Sequence, residues 1–393
     1  MITTLLPNHA TSIYKEMQQV TEEKIAEFDI KKWLKQVFES CLEEEFMGVV
    51  GVNPYERGDQ RQHQRNGFYE RSLDTVYGWL EGLRVPRLRE GGWEPSLFDK
   101  YGRRERALNR LIAECYWRGI STRDVEHILK SLSGITVSAS TVSRLTSRWQ
   151  SEVIRWHTRR LGDNYVYLFL DGVWIKNRSL GKTKRLVLVA YGIREDGKRE
   201  IIDYQLSVTE KQAHWEKFLN YLRHRGFEGK KLKLIITDGC HGLWNAIDMV
   251  YPGVDHQSCL AHKVRNVLDK VKKADHDAVH KGLKKIFSDK ITTEKQAKKL
   301  INRWKKKWKR KYPSAIKSWE RDEERLYSYF KCPVKHHKAI RTTNHIERQF
   351  KEFRRRMKAQ ELIPNVHAAD RMLYALTQIR NEKLENYPMD FTQ

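Results

Sequence analysis

The sequence predicts an α/β core that is preceded by a mainly helical region and interrupted by a basic, all-helical stretch. Three observations carry this. Two apolar runs, 168–175 and 232–237, read as strands, and each holds one acid within it or at its end, Asp171 and Asp238. Between them, β-rich runs at 185–192 and 200–206 are joined by Glu195-Asp196-Gly197-Lys198, a hairpin signal. On either side, at 103–150 and 262–338, apolar residues recur at helical spacing instead.

A chain of 393 residues exceeds one ordinary core, so several domains are expected. The boundaries fall at 1–55 (a helical segment), 56–102 (a small β-rich segment), 103–160 (a helix-turn-helix-like region), 161–262 (the first part of the α/β core), 263–338 (a helical basic insertion) and 339–393 (helices completing the core). Lys and Arg number 75 against 50 Asp and Glu, a net charge of +25, which points to a polyanionic partner, nucleic acid before membrane. The 12 Trp, 17 Tyr and 13 Phe argue against a basic disordered tail and for folded domains. Five scattered cysteines without paired spacing suit a reduced, cytoplasmic setting. Neither a signal peptide nor a membrane span is expected.

Taken in order, Ile25, Phe28, Ile30, Trp33, Leu34, Val37 and Phe38 mark a helix for packing or oligomerisation, with Glu43, Glu44 and Glu45 in solvent. Residues 56–66 are a polar loop that could rest on phosphates through Arg61 and Arg65, and 67–90 alternate as a small antiparallel sheet. Next, Leu108, Leu111 and Ile112 stripe one helix, Gly119 breaks it, and Ser121-Thr122-Arg123-Asp124 caps a second bearing Val125, Ile128, Leu129 and Leu132. Gly134 marks a turn and Ser138 caps a third helix, buried through Val142 and Leu145. Its outer face shows Ser140, Ser143, Arg144, Ser147 and Arg148, which suits a helix in a DNA major groove; a three-helix bundle with a solvated basic face is the alternative. In the insertion, Trp304 and Trp308 share a face and read as core, while Lys305, Lys306 and Lys309 read as phosphate contacts.

Phosphodiester chemistry suits two divalent ions held by two or three carboxylates on rigid elements. Asp171 and Asp238 meet that need if their strands are neighbours. Glu347 is the third acid, at the border of a helical stripe formed by Ile346, Phe350, Phe353 and Met357, with Arg348, Arg354, Arg355 and Arg356 on other faces toward phosphates. Each acid alone has a plainer reading. Asp171-Gly172 and Asp238-Gly239 are turn dipeptides, and Glu347 could close a capping box begun by Asn344. Asp203, Asp248 and Asp255 compete, without so apolar a run before them. Cys259 and His262 could form half a zinc site with Cys332, His336 or His337; the other reading is a structural hydrogen bond beside the acids.

At these residues the chain resembles the Mutator-family transposases of bacterial insertion sequences. The resemblance rests on Asp171-Gly172-Val173-Trp174, Thr237-Asp238-Gly239 with Gly242-Leu243, Cys259-Leu260-Ala261-His262, and 341–348 with the arginines after it, and it spans roughly 60–380. His345 departs from the small residue often found there. The resemblance implies an RNase H-like catalytic core with an Asp-Asp-Glu triad (Asp171, Asp238, Glu347), an all-helical insertion, and two Mg²⁺ or Mn²⁺ ions. It implies double-stranded DNA with terminal inverted repeats and target DNA as partners, a homodimer or higher oligomer on DNA, and a place at the bacterial nucleoid. It further implies cleavage at transposon ends and joining of the freed 3′-hydroxyl to target DNA. A nuclease that cleaves without joining, and a DNA-binding regulator with structural acids, are the alternatives.

Overall fold

The structure, a computed structural model, describes residues 29–56, 58–99, 101–118, 120–175, 185–359 and 366–389. The expected positions Ile25, Phe28 and Gly119 lie outside these residues. The chain divides into two units, Met1–Arg148 and Trp149–Gln393. No helix among the described residues is long and apolar enough to cross a membrane.

In the first unit, α1 (Ile30–Val50) begins where Asp29 accepts hydrogen bonds from the Lys31 and Lys32 amides at 3.0 and 3.1 Å. It ends at Gly51, whose φ of 84° suits glycine and where a Cβ would stand 2.2 Å from the Gln60 carbonyl oxygen. Strands β1 (Arg65–Thr75) and β2 (Gly78–Leu88) pair antiparallel, as the alternation predicts. Leu42, Leu73, Leu83, Val85 and Phe98 make their core. Two expectations change here. Glu43 pairs with Arg65, and Glu45 accepts from the Ser96 amide at 2.9 Å, so these acids fasten α1 to its neighbours instead of facing solvent. Arg65 is correspondingly engaged, with its guanidinium 5.2 Å from the Phe46 ring centre.

Three helices follow: α2 (Arg106–Trp117), α3 (Thr122–Ser133) and α4 (Ala139–Ser147). The caps are the expected ones. Ser121 accepts from the Asp124 amide at 3.1 Å, and Ser138 from the Thr141 amide at 3.3 Å. Leu108, Ile112, Val125, Leu129, Val142 and Leu145 form one small core. Leu132 is a correction. It is 77% exposed, while Val125 and Leu129 are the buried residues of α3.

The second unit opens with α5 (Gln150–Thr158) and is built on a five-stranded sheet. Its strands are β3 (Tyr165–Ile175), β4 (Arg185–Arg194), β5 (Arg199–Ser207), β6 (Leu234–Thr237) and β7 (His256–Ser258), in the order β5-β4-β3-β6-β7. β3, β4 and β5 run antiparallel, whereas β6 pairs parallel with β3, and β7 parallel with β6. Strand β7 was not legible beforehand. His256, Gln257 and Ser258 are polar yet buried, and Gln257 is satisfied by the Leu326 carbonyl and the Tyr329 amide.

Alternation along β3 divides the core in two. Leu168 and Leu170 face α6 (Gln212–His224) and α7 (His241–Val250) through Trp215, Phe218, Leu243 and Ile247. Tyr167, Phe169 and Val173 face a large helical layer. That layer contains α8 (Leu260–Leu268), α9 (His276–Ile286), α10 (Glu294–Trp308), α11 (Pro313–Glu320), short helical turns from Glu323 to Ile340, α12 (Asn344–Ala359) and α13 (Val366–Asn386). Trp304 and Trp308 are buried in it, as their spacing predicts, with Trp304 6.1 Å from Trp319.

His157 of α5 lies between two acids, Asp203 at 2.8 Å and Asp370 at 3.2 Å. Burial opposes its protonation, but hydrogen bonds to the two carboxylates win and raise its pKa to about 9. The protonated ring therefore contributes stability that is complete below its unfolded value of about 6.5 and is lost as pH rises through about 9. Urea denaturation at pH 6 and pH 9.5 should show wild type losing on the order of 2–3 kcal/mol more than His157→Gln. Equal losses in the two proteins would contradict the bridge.

Candidate active site

Parallel pairing of β3 with β6 aligns Leu170 with Thr237, so the next residues, Asp171 and Asp238, emerge side by side. Asp171 lies within β3 and not in a turn, and it shares a face with Phe169 and Val173. Asp238 follows the last residue of β6. The turn it begins is tight: Gly239 has φ 108°, and the Cys240 amide donates to Asp238 Oδ1 at 3.3 Å. Glu347 enters from α12, whose Ile346, Phe350 and Phe353 pack into the core on that same face of the sheet. The helix starts at Asn344, and the Glu347 amide donates to the Thr343 carbonyl at 3.0 Å. Asn344 is thus the first helical residue, exposed, and Glu347 closes no capping box with it.

His262 of α8 stands beside the acids. Its Nε2 is 3.6 Å from Glu347 Oε1, too long for a hydrogen bond, and that oxygen is buried without a hydrogen-bond partner among the described residues. Cys259 accepts from both the amide and the hydroxyl of Thr343 at 3.2 Å. A hydrogen bond donated by the His262 ring to the Cys259 sulfur, and then the charges of Cys259, Asp171 and Asp238, lift the His262 pKa to about 9 despite its burial. Burial works to raise the Cys259 thiol, yet its bonds to His262 and Thr343 pull it down. The Cys-x-x-His pair is thereby a buried strut beside the acids. Of the residues weighed for zinc, His337 is bonded to the Cys332 carbonyl and His336 to the Tyr167 hydroxyl.

Burial first, and then the charge of Asp238, push the Asp171 carboxyl well above the usual range. Asp238 is raised too, chiefly by burial, with Glu347 adding to it and His262 opposing. Asp171 is only 6% exposed, and its carboxylate accepts from its neighbour Gly172 N–H at 2.7 Å. Such under-satisfied, clustered oxygens are a poor structural device and a suitable set for a hard cation such as Mg²⁺ or Mn²⁺. Among the described residues no group of three or more His, Cys, Asp or Glu is placed so as to hold a metal ion.

The competing acids are occupied elsewhere. Asp203 is tied to buried Arg225 and to His157, Asp248 to Arg325, and Asp255 to Lys331. Among the basic residues, Ser140, Ser143, Arg144, Ser147 and Arg148 are all exposed on or just after α4, with Arg148 3.2 Å from Asp99. Lys306 and Lys309 are exposed, whereas Lys305 is half-buried between Glu320 and Glu323 and is not free for a phosphate. Arg348, Arg354 and Arg355 are exposed on α12, Arg355 at 3.0 Å from Glu352; the side chain of Arg356 lies outside the described residues. His345 packs its ring edge-on to Phe169, 5.9 Å between centres, and burial lowers its pKa to about 4, so it serves as a neutral packing ring. Glu210, which the sequence reading passed over, lies near Gly172, and burial and then the charge of Asp238 raise its pKa. It sits in a polar connection with no apolar run to flag it.

Asp171 within β3, Asp238 just past the end of β6 and Glu347 on α12 thus approach one another around His262. Residues 8–386 match the family described as Transposase, Mutator family. The chain belongs to that family. It is 36% identical over 375 residues to the transposase for insertion sequence element IS256 in transposon Tn4001 of Staphylococcus aureus, covering 94% of each chain. It is 31% identical to the transposase for insertion sequence element IS905 of Lactococcus lactis, covering 89% of this chain and 88% of that one. Identity to the transposase for ISRM5 of Rhizobium meliloti is 34%, over 88% and 86%. Among solved structures, the Drosophila P element transposase strand transfer complex aligns over 70% of this chain and 81% of that one at 12% identity and TM-score 0.29, a likeness too low to bear on the fold.

Proposed function

We propose that this transposase cleaves phosphodiesters at the ends of its element and joins the freed 3′-hydroxyls to target DNA, with Asp171, Asp238 and Glu347 holding two Mg²⁺ or Mn²⁺ ions. The observation that carries this is the meeting of Asp171 and Asp238 at adjacent positions on the paired strands β3 and β6, with Glu347 Oε1 beside His262 and without a hydrogen-bond partner among the described residues. The strand order, three antiparallel strands followed by two parallel to the first, supports an RNase H-like core with helices α8 to α11 inserted between its second and third acids.

Divalent ions there supply Lewis-acid polarisation of the phosphoryl oxygens and a more acidic bound water. The chain's own part is positional. Strands β3 and β6 fix two carboxylates against each other, and α12 brings the third on a face locked by Ile346, Phe350 and Phe353. His262, held by Cys259, sets the place of Glu347. In the first step water attacks the phosphorus and the 3′-oxygen leaves as a hydroxyl. In the second, that hydroxyl attacks a target phosphodiester and displaces the target's 3′-oxygen, so one P–O bond forms as another breaks. The exposed face of α4 would read the terminal repeats and the arginines of α12 would hold phosphates. Two ends must be handled together, so a dimer or larger assembly on DNA is expected.

The test is cleavage and joining of labelled DNA carrying the element's own ends, with Mg²⁺ or Mn²⁺, in wild type and Asp238→Asn. Metal-dependent nicking and joining in wild type, lost in the variant while DNA binding persists, is the expected result. Nicking without joining would make the protein a nuclease, and equal activity in both proteins would remove Asp238 from the site.

A further inference from the structure

Glu210 stands in the connection between β5 and α6 and turns its carboxylate toward β3. A Cβ added at Gly172 would lie 2.9 Å from Glu210 Oε1. That direction is shared with Leu168 and Leu170 and is opposite to Asp171. Glu210 therefore approaches from the face covered by α6 and α7, whereas Glu347 approaches from the face covered by α12. Its backbone is held against the turn that follows Asp238. A Cβ at Gly242 would be 3.0 Å from the Gln212 nitrogen and 3.3 Å from the Glu210 carbonyl oxygen, and Cys240 Sγ lies 3.9 Å from that same oxygen.

The Glu210 carboxylate is half-buried and makes no hydrogen bond or ion pair with any described residue. Burial, and then the charge of Asp238, raise its pKa to about 7. A desolvated acid beside another acid, with no cation bonded to it among the described residues, weakens the fold. The glycine at 172 is what leaves it room.

We propose that Glu210 is a fourth carboxylate of the divalent-cation site, reaching it from the side of the sheet opposite Glu347. This rests on the cation site proposed above.

The test is Mn²⁺ binding to the full-length, DNA-free protein, followed by the paramagnetic resonance of free Mn²⁺. Glu210→Gln should raise the Kd of at least one Mn²⁺ about tenfold or more. It should leave the metal-free melting temperature unchanged or higher, which loss of a merely structural contact would not do. Glu216→Gln, whose carboxylate is bonded to Gln212 away from the site, should bind as wild type. If Glu210→Gln does not fold, Glu210→Asp keeps the charge on a shorter arm and should show an intermediate Kd. Wild-type Mn²⁺ affinity in the folded Glu210 variant, with affinity lost in Asp238→Asn, would exclude Glu210 and leave the triad standing. Wild-type affinity in both would overturn the site itself.

Discussion

Asp171→Asn is expected to lower strand cleavage and joining by about a thousandfold or more, without lowering the melting temperature of the metal-free protein. Lewis-acid stabilisation contributes several kcal/mol to a phosphoryl transition state, and each factor of ten in rate corresponds to about 1.4 kcal/mol. Loss of a carboxylate shared by the ions removes much of that. The stability side follows from the environment. Asp171 is 6% exposed, sits beside Asp238, and accepts only from the adjacent Gly172 amide among the described residues. Asparagine keeps that acceptor, carries no charge into the interior, and can donate toward Asp238. Parallel single-turnover assays and thermal melts in chelator check both halves. A variant that is inactive because it melts early would point to a structural acid.

Asp203→Ala should behave in the opposite way. Asp203 is fully buried and accepts from Arg225 and His157, while Arg225 itself is 8% exposed. Removing the acid leaves a buried guanidinium without its counter-charge, a loss of about 3–5 kcal/mol. For a unit of this size that lowers the melting temperature by roughly 10 °C. Below the new melting point, strand cleavage per folded molecule should stay close to wild type, because Asp203 is turned to its own ion pairs and away from Asp238. A fall in stability under about 1 kcal/mol would show that Arg225 finds other acceptors.

These two acids show what the sequence made legible. Asp171 follows an unbroken apolar run and Asp238 a nearly unbroken one, and burial on both faces of a strand leaves that signature in one dimension. The caps at Ser121 and Ser138, the Asp196-Gly197 turn and the buried Trp304 and Trp308 are likewise local in origin, so spacing alone finds them. Contacts between distant segments left no such trace. Strand β7 is three polar residues whose burial depends on Leu326 and Tyr329. Lys305 looked like its neighbours Lys306 and Lys309 until the fold brought Glu320 and Glu323 to it. Glu43 and Glu45 read as solvent-facing for the same reason, since Arg65 and Ser96 are near only in space. Glu210 belongs with these: its neighbours Gly172 and Asp238 come from other strands.

The central claim is that acids from three separate segments meet at one cation site. Crystals soaked in Mn²⁺ and measured for its anomalous scattering test it most directly. The expected result is a peak between Asp171 and Asp238 within bonding distance of a Glu347 oxygen, absent from crystals of Asp238→Asn. Anomalous density at some other group of side chains, with the Asp171–Asp238 pair bare at saturating Mn²⁺, would contradict it.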